Sequence, residues 1–283
     1  MSSVFDGPPQ LGPALGFPNP FAHLDKTGAW SGPPLHQRLS SKPAREQPDC
    51  PLFQSCPAEI RSQIFSLALL DYEDPAEARQ YSKNACWTRP SYSAPRRTDI
   101  ALLQTCRAVY QETWFLPFTL KQQTHWITSQ DRAPPEYRVY NAKRDLRQTV
   151  DKIKREHEEK VIGLDSIRFF TQMCNLESVA EFLAQFPDLA FRRVFITIRH
   201  TDFWYWEDDE PLRFACHWIP GFCRELPATV REVTIEMETV RRKSTQLDDI
   251  AHQMAQRWHF RTKDGEALFA DSTAKGHGAE ARG

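Results

Sequence analysis

The sequence predicts an α+β fold: an N-terminal helical region followed by a β/α region with a partly parallel, leucine-rich-repeat-like sheet. Three observations predict it. Two amphipathic stretches of helical period stand near residues 52–70 and 98–118. Apolar alternation then appears three times, at 167–173, 193–199 and 232–237, each time followed by a helical stretch. Strand, helix, strand is the pattern that pairs parallel strands through crossover helices. The strand starts lie roughly 26 and 39 residues apart, which suits irregular leucine-rich-like units. No residue pattern recurs from unit to unit, so a strict solenoid is not expected.

Composition bounds the function without naming it. The chain has 283 residues, with 36 Lys plus Arg against 37 Asp plus Glu, a net charge of −1. A nucleic-acid binder usually shows a basic excess, so no nucleic-acid partner is expected. Hydrophobic residues make up 40% of the chain and aromatics 12%, enough for a core. No run approaches 18 uncharged apolar residues, so no membrane span is expected. The first residues lack a basic start followed by an apolar block, so they do not read as a secretory signal. Seven cysteines at irregular spacing argue against a disulfide framework and for a reducing compartment, cytoplasmic or nuclear.

The chain divides by composition into four parts. Residues 1–49 are a Pro/Gly-rich leader holding nine of the 21 prolines and five of the 11 glycines. Without apolar period such a segment cannot offset its ordering entropy, so it reads as disordered. Residues 50–128 form the helical region, 129–262 the β/α region, and 263–283 a flexible polar tail.

Within the helical region, Ile60, Ile64, Leu67 and Ala68 repeat at helical spacing. Ser55, Pro57 and Glu59 make a helix start: a capping hydroxyl, a first-turn proline and an acid at the positive end of the dipole. Residues 72–95 are polar and broken by Pro75, Pro90 and Pro95, a long loop from which Trp87 and Tyr92 would pack down. A second helix runs from about Thr98, with Leu103, Cys106, Tyr110 and Trp114 in one stripe. Thr98 or Asp99 would cap it and Pro117 end it. Residues 120–129 then alternate weakly as a short strand, and 131–135 is a turn.

In the β/α region, residues 141–160 read as a solvated helix with a thin stripe of Leu146, Val150, Ile153 and Val161. Its many paired charges read as surface decoration. Three strands, 167–173, 193–199 and 232–237, are separated by helices at 176–186 and 211–226, with a last helix at 247–258. Pro220 would break or kink the 211–226 helix.

Two stretches carry a family resemblance. LFQSCPAEIRSQIFSLAL is close to the form L-P-x-E-I-R-x-x-I-(F/Y)-x-x-A-L, and LLQTCRAVYQETW is close to L-L-x-T-C-R-x-(I/V)-Y-x-E. In the second, Thr105, Cys106, Arg107, Tyr110 and Glu112 match together. Over residues 50–128 the chain resembles filamentous-fungal proteins with an F-box-like N-terminal helical domain. The resemblance implies a module that docks on a Skp-family adaptor of a cullin–RING ubiquitin ligase, while the C-terminal region selects a protein substrate. It implies that Leu52, Pro57, Ile60 and Ile64 line the adaptor-facing side. The physics of the same residues gives a blander expectation: Ile60, Ile64 and Leu67 face Leu103, Tyr110 and Trp114, and the two stripes bury each other. Each such side chain contributes about 1.5–3 kcal/mol on full burial. Arg107 and Glu112, five apart, do not pair well within a helix, so each should meet another segment.

Motifs of known chemistry are missing from the sequence: there is no Gly-rich phosphate loop, no G-x-S-x-G elbow and no H-E-x-x-H. Cys216, His217 and Cys223 are the best metal candidates, but they interleave with Phe214, Trp218 and Phe222 and read as core packing, so no metal and no cofactor are expected. Trp204, Tyr205 and Trp206 beside Glu207, Asp208, Asp209 and Glu210 form a candidate partner surface, since aromatics are enriched at interfaces. The expectation is a non-enzymatic interaction module, an F-box-type substrate adaptor. Two alternatives stand beside it: a scaffold without ligase contact, and a small-molecule-binding or enzymatic domain with a pocket near His200 and Trp204. His125, and His200 with Asp202, are the residues from which an acid–base site would be built.

Overall fold

The alternating segments pair in the order in which the chain makes them. In the computed structural model, which describes residues 38–270 except 40, 90, 91, 136, 158 and 159, the central feature is a four-stranded all-parallel sheet. The chain divides into two compact units, 1–45 and 46–283; of the first only 38, 39 and 41–45 are described. The leader reading for residues 1–37 therefore lies outside the described residues.

The second unit opens with α1 (Pro51–Gln54) and α2 (Ala58–Ala68). The α2 helix starts later than Ser55: Pro57 occupies the N-cap with no side-chain cap, and Ser55 instead ends α1. Glu59 does sit in the first turn. Strands β1 (Asp71–Glu73) and β2 (Arg96–Thr98) pair antiparallel and close the long 72–95 segment into a loop. Arg96 fastens this ladder through Asp71 at 2.5 Å.

The second amphipathic stretch is not one helix. A 3₁₀ turn at Ala101–Gln104, with the Asp99 carboxylate accepting from the Ala101 N–H at 2.8 Å, precedes α3 (Arg107–Thr113) and α4 (Leu116–Leu120). Cys106, between the 3₁₀ turn and α3, is extended (φ −154°), so the period of the apolar stripe survives while the helix does not. Pro117 opens α4 rather than ending a helix; in a first turn its missing N–H costs nothing.

Then follow β3 (Gln123–Ile127), α5 (Val139–His157), β4 (Ile162–Thr171), α6 (Glu177–Ala184), β5 (Leu189–Ile198), α7 (Ile219–Glu225), β6 (Glu232–Met237) and α8 (Ser244–Arg257). The sheet order is β3-β4-β5-β6, each pair parallel. β6 matches the sequence expectation; β4 and β5 begin five and four residues earlier than alternation indicated. The reason is a coordinated slip. Ile162 and Leu164, then Ile167 and Phe169, face one core, and Leu189 and Phe191, then Val194, Ile196 and Ile198, do the same. Both strands change phase at the same place, where Asp165 pairs with Arg193, so simple alternation hides their first halves.

One sheet face carries this main core, filled by Leu146, Val150 and Ile153 of α5, Val179, Phe182 and Leu183 of α6, and Phe222 of α7. All three crossover helices thus cover the same face. Val161 falls outside the α5 stripe and is exposed. The cations of α5 are more than decoration: Lys143, Arg147 and Lys152 lie over Phe182, Phe186 and Trp114 at 5.2, 5.1 and 4.7 Å from the ring centroids. Pro220 stands in the first turn of α7, where it neither breaks nor kinks the helix.

The opposite sheet face is covered by the 72–95 loop. Trp126 and Phe170 stack there at 3.8 Å and 7°, and Trp87, Tyr92 and Tyr137 pack onto them. The chain closes with the antiparallel hairpin β7 (His259–Arg261) and β8 (Ala267–Phe269), so the flexible tail does not begin at Lys263. Gly265, at φ +94°, takes the turn position that disfavours other residues. Residues 271–283 lie outside the described residues. Among the described residues no helix is long and apolar enough to cross a membrane.

Candidate interaction surfaces

Helix α2 is amphipathic with its apolar residues on both sides. Phe65 and Leu69 are buried. Ile60, Ile64 and Leu67, at i, i+4 and i+7, form one stripe that is 47%, 44% and 71% exposed. The expectation that Ile60, Ile64 and Leu67 are buried against Leu103, Tyr110 and Trp114 is therefore corrected. Phe65, which lies off that stripe, supplies the buried anchor. Pro57 is exposed at the helix start and Leu52 is half-buried on α1. The structure brings Ile60 and Ile64 onto one face; Leu52 and Pro57 sit on the preceding segment.

The two motifs meet through charge. Arg61 Nε donates to both carboxylate oxygens of Glu112 at 2.9 and 3.1 Å. Its Nη1 donates to the Cys56 carbonyl at 3.3 Å, and its guanidinium lies 5.2 Å from the centroid of the Phe53 ring. Glu112 thus meets another segment, as its spacing from Arg107 required. This clamp fixes α2 against α3 and leaves the Ile60–Ile64–Leu67 stripe turned outward.

The aromatic trio at 204–206 does not form a single patch. Trp204 packs against the main core. Trp206 is half-buried beneath the Arg132 guanidinium at 5.7 Å and beside His200 at 6.0 Å. Only Tyr205 presents its ring, 60% exposed and with φ +53°. Of the acidic residues that follow, Asp209, also at positive φ, receives Arg242 at 2.9 Å and Lys243 at 2.8 Å. Those two hydrogen-bonding cations hold its carboxyl down at about 2.

The His200–Asp202 pair is not assembled. Both Asp202 oxygens are taken by Arg199, at 2.6 and 3.1 Å, while His200 Nδ1 meets the Thr239 hydroxyl at 3.2 Å. Burial, with Lys243 and Arg242 nearby, pushes His200 below its ordinary value. His125 is fully inside, packed on Phe182 at 4.4 Å and Phe169 at 6.1 Å, with Tyr137 Oη 3.4 Å from its Nδ1. Burial lowers its pKa to about 3, so it is a neutral ring. Cys216 and His217 are exposed and Cys223 accepts the Arg261 N–H at 3.3 Å; core packing holds for their neighbours Trp218 and Phe222. Among the described residues no group of three His, Cys, Asp or Glu side chains could hold a metal.

One polar arrangement had no sequence signal. On the loop-covered sheet face Arg168 donates to Thr197 Oγ1 at 2.8 Å and to Glu236, and lies 4.6 Å from the Phe195 ring centroid. Arg89, from the covering loop, pairs with Glu236 at 3.2 Å and Glu238 at 2.6 Å. Arg199 holds the loop by donating to the Cys86 carbonyl at 2.8 Å. Burial raises Glu236, but the Arg168 hydrogen bond and charge, with Arg89, bring it below its usual value. Burial wins at Glu238, which is raised. These residues are scattered from 89 to 238 and gather only in the fold. They bind one another and fasten the loop to the sheet.

Comparison with protein-family models, with curated proteins and with solved structures finds no match to this chain.

Proposed function

We propose that this chain is a non-enzymatic protein-interaction module of F-box type. In this reading the 52–70 region docks on a Skp-family adaptor of a cullin–RING ubiquitin ligase, and the β/α region recruits a protein substrate, in the cytoplasm or nucleus. The observation that carries it is the outward stripe of Ile60, Ile64 and Leu67 on a helix whose buried face is already supplied by Phe65 and Leu69. A stripe of large apolar side chains at i, i+4, i+7 is the anchor pattern of helix-in-groove recognition. Their exposed portions forfeit a part of the roughly 1.5–3 kcal/mol that full burial of each would contribute, and a partner groove recovers that part.

The test is capture of the full chain by a purified fungal Skp-family adaptor, beside an Ile60→Asp, Ile64→Asp double variant. Native binding lost in the variant, with its circular dichroism unchanged, supports the reading. Absence of native binding at micromolar concentration removes the ligase role and leaves a scaffold.

A further inference from the structure

Helix α8 is seated at its two ends and not along its middle. Leu247 near its start and Trp258 just past its end pack against the main core. Between them Ile250 and Met254 stay outside that packing and line a cleft of about 870 Å³. None of the 14 residues of the helix is buried. Ile250, Met254 and Arg257 stand at i, i+4 and i+7, so a single face of α8 forms one wall, about 10 Å long. The facing wall is Leu212, Phe214, Ile219 and Cys223. One end is aromatic: Phe214 meets Trp258 edge-on at 5.2 Å, and the buried Trp218 backs Trp258 at 6.2 Å.

The charge of the cleft has one sign. Arg213, Arg257 and Arg261 line it, and no Asp or Glu does. Glu210 answers Arg213 at 3.0 Å. Arg257 and Arg261 have no ion-pair partner among the described residues. Both belong to the Trp258 end. Arg257 is the last residue of α8, and the Arg261 N–H on β7 donates to Cys223 Sγ at 3.3 Å.

We propose that this cleft binds a fatty acid, with its alkyl chain along the Ile250–Met254 face of α8 and its carboxylate on Arg257 and Arg261. The volume falls within the roughly 300–1,000 Å³ of small-molecule sites. A guanidinium fork matches a carboxylate, and the flexible Met254 side chain adapts to an alkyl chain. A peptide is the poorer occupant. Its main-chain N–H and C=O groups need partners, and Gln253 is the only neutral amide or hydroxyl side chain in the lining. The proposal does not rest on the adaptor reading, since it uses none of the residues of α2.

The experiment is calorimetric titration of the full chain with monomeric dodecanoate, dodecanol and dodecyltrimethylammonium. Dodecanoate should bind at least about tenfold more tightly than the alcohol, and the ammonium more weakly still. Arg257→Ala with Arg261→Ala, both at exposed positions, should lose at least about tenfold for dodecanoate and leave dodecanol unchanged. Gln253→Trp and Met254→Trp put an indole into the cleft and should weaken both ligands; Gln253 is exposed, so its variant keeps the fold, which circular dichroism checks. Absence of dodecanoate binding overturns the proposal. Equal affinity for the three amphiphiles does the same, as does binding that survives both tryptophans. Arginine-dependent capture of anionic phospholipid vesicles by a chain that does not bind monomeric dodecanoate also overturns it, and assigns the arginines to a membrane surface.

Discussion

Arg61 and Glu112, 51 positions apart, are joined by one guanidinium N–H that donates to both oxygens of the carboxylate, at 2.9 and 3.1 Å. Each residue belongs to a different recurrent-looking motif of the sequence, and the pair is what locks those motifs into one helical unit. Both side chains are partly buried, at 16% and 32% exposure, so the coupling exceeds that of an open surface pair. A double-mutant cycle of Arg61→Ala and Glu112→Ala by urea denaturation should return a coupling of about 1 kcal/mol. Additive single effects would mean that the two helices are held by apolar contacts alone.

The two sides of α2 should separate cleanly. Ile60→Asp and Ile64→Asp, on the outward stripe, are expected to change stability by no more than about 0.5 kcal/mol. Phe65→Ala, on the buried side, should cost about 3–5 kcal/mol. Thermal or chemical denaturation of the three variants checks this, and a large loss at Ile64 would move that residue into the core.

His125 makes the fold sensitive to acid. Its pKa is lowered to about 3 by burial, against an ordinary value of 6.5. The folded state therefore keeps the ring neutral where the unfolded chain takes up a proton. Its contribution is fully present above pH 6.5 and is lost as pH falls from there toward 3. Between pH 6 and 4 the native chain should lose stability by up to roughly 1.4 kcal/mol per pH unit from this one group. His125→Phe, which keeps a ring against Phe182, should flatten that slope in urea titrations at stepped pH. Equal slopes in the two proteins would rule out His125 as the source.

Glu236 stands between two arginines, and removing it leaves Arg168 without its carboxylate partner while Arg89 keeps Glu238. Glu236→Ala should cost about 3 kcal/mol, because Arg168 is left as a poorly solvated charge. Glu238, whose carboxyl burial already disfavours as a charge, should tolerate Glu238→Gln at a cost of under about 1 kcal/mol. Equilibrium denaturation of both variants distinguishes them. Equal losses would show that the loop depends on Glu238 as much as on Glu236.

Legibility in the sequence followed how local each cause was. The α6 stripe of Val179, Ala180 and Leu183 is readable because one period and one buried face determine it, and β6 because Val233 and Ile235 alternate with polar residues and pack against the core. The break at Cys106 was not, because apolar residues on either side of an extended residue kept helical spacing. The β7–β8 hairpin leaves only a faint trace in the sequence, because its strands have three residues each and the Asp264-Gly265 turn signal stands without an alternating flank. The candidate residues Ile60 and Ile64 were picked out by motif, but their outward placement depended on Phe65, which no stripe had singled out. The Arg89–Glu236–Arg168 arrangement could not be read at all, because its members come from a loop and two non-neighbouring strands.

The chain-order sheet also bears on how the protein is made. β4 lies beside β3, β5 beside β4 and β6 beside β5, so each strand, as it leaves the ribosome, finds its neighbour already synthesised. Each strand waits only for the next one, but every pairing must first close a crossover connection, which makes a parallel sheet slow to assemble. The growing sheet meanwhile always exposes its newest edge. A ribosome that stalls before Glu232 would hold out the bare edge of β5, with Val194, Ile196 and Ile198 beside it, as the surface on which chaperones or aggregation would act first.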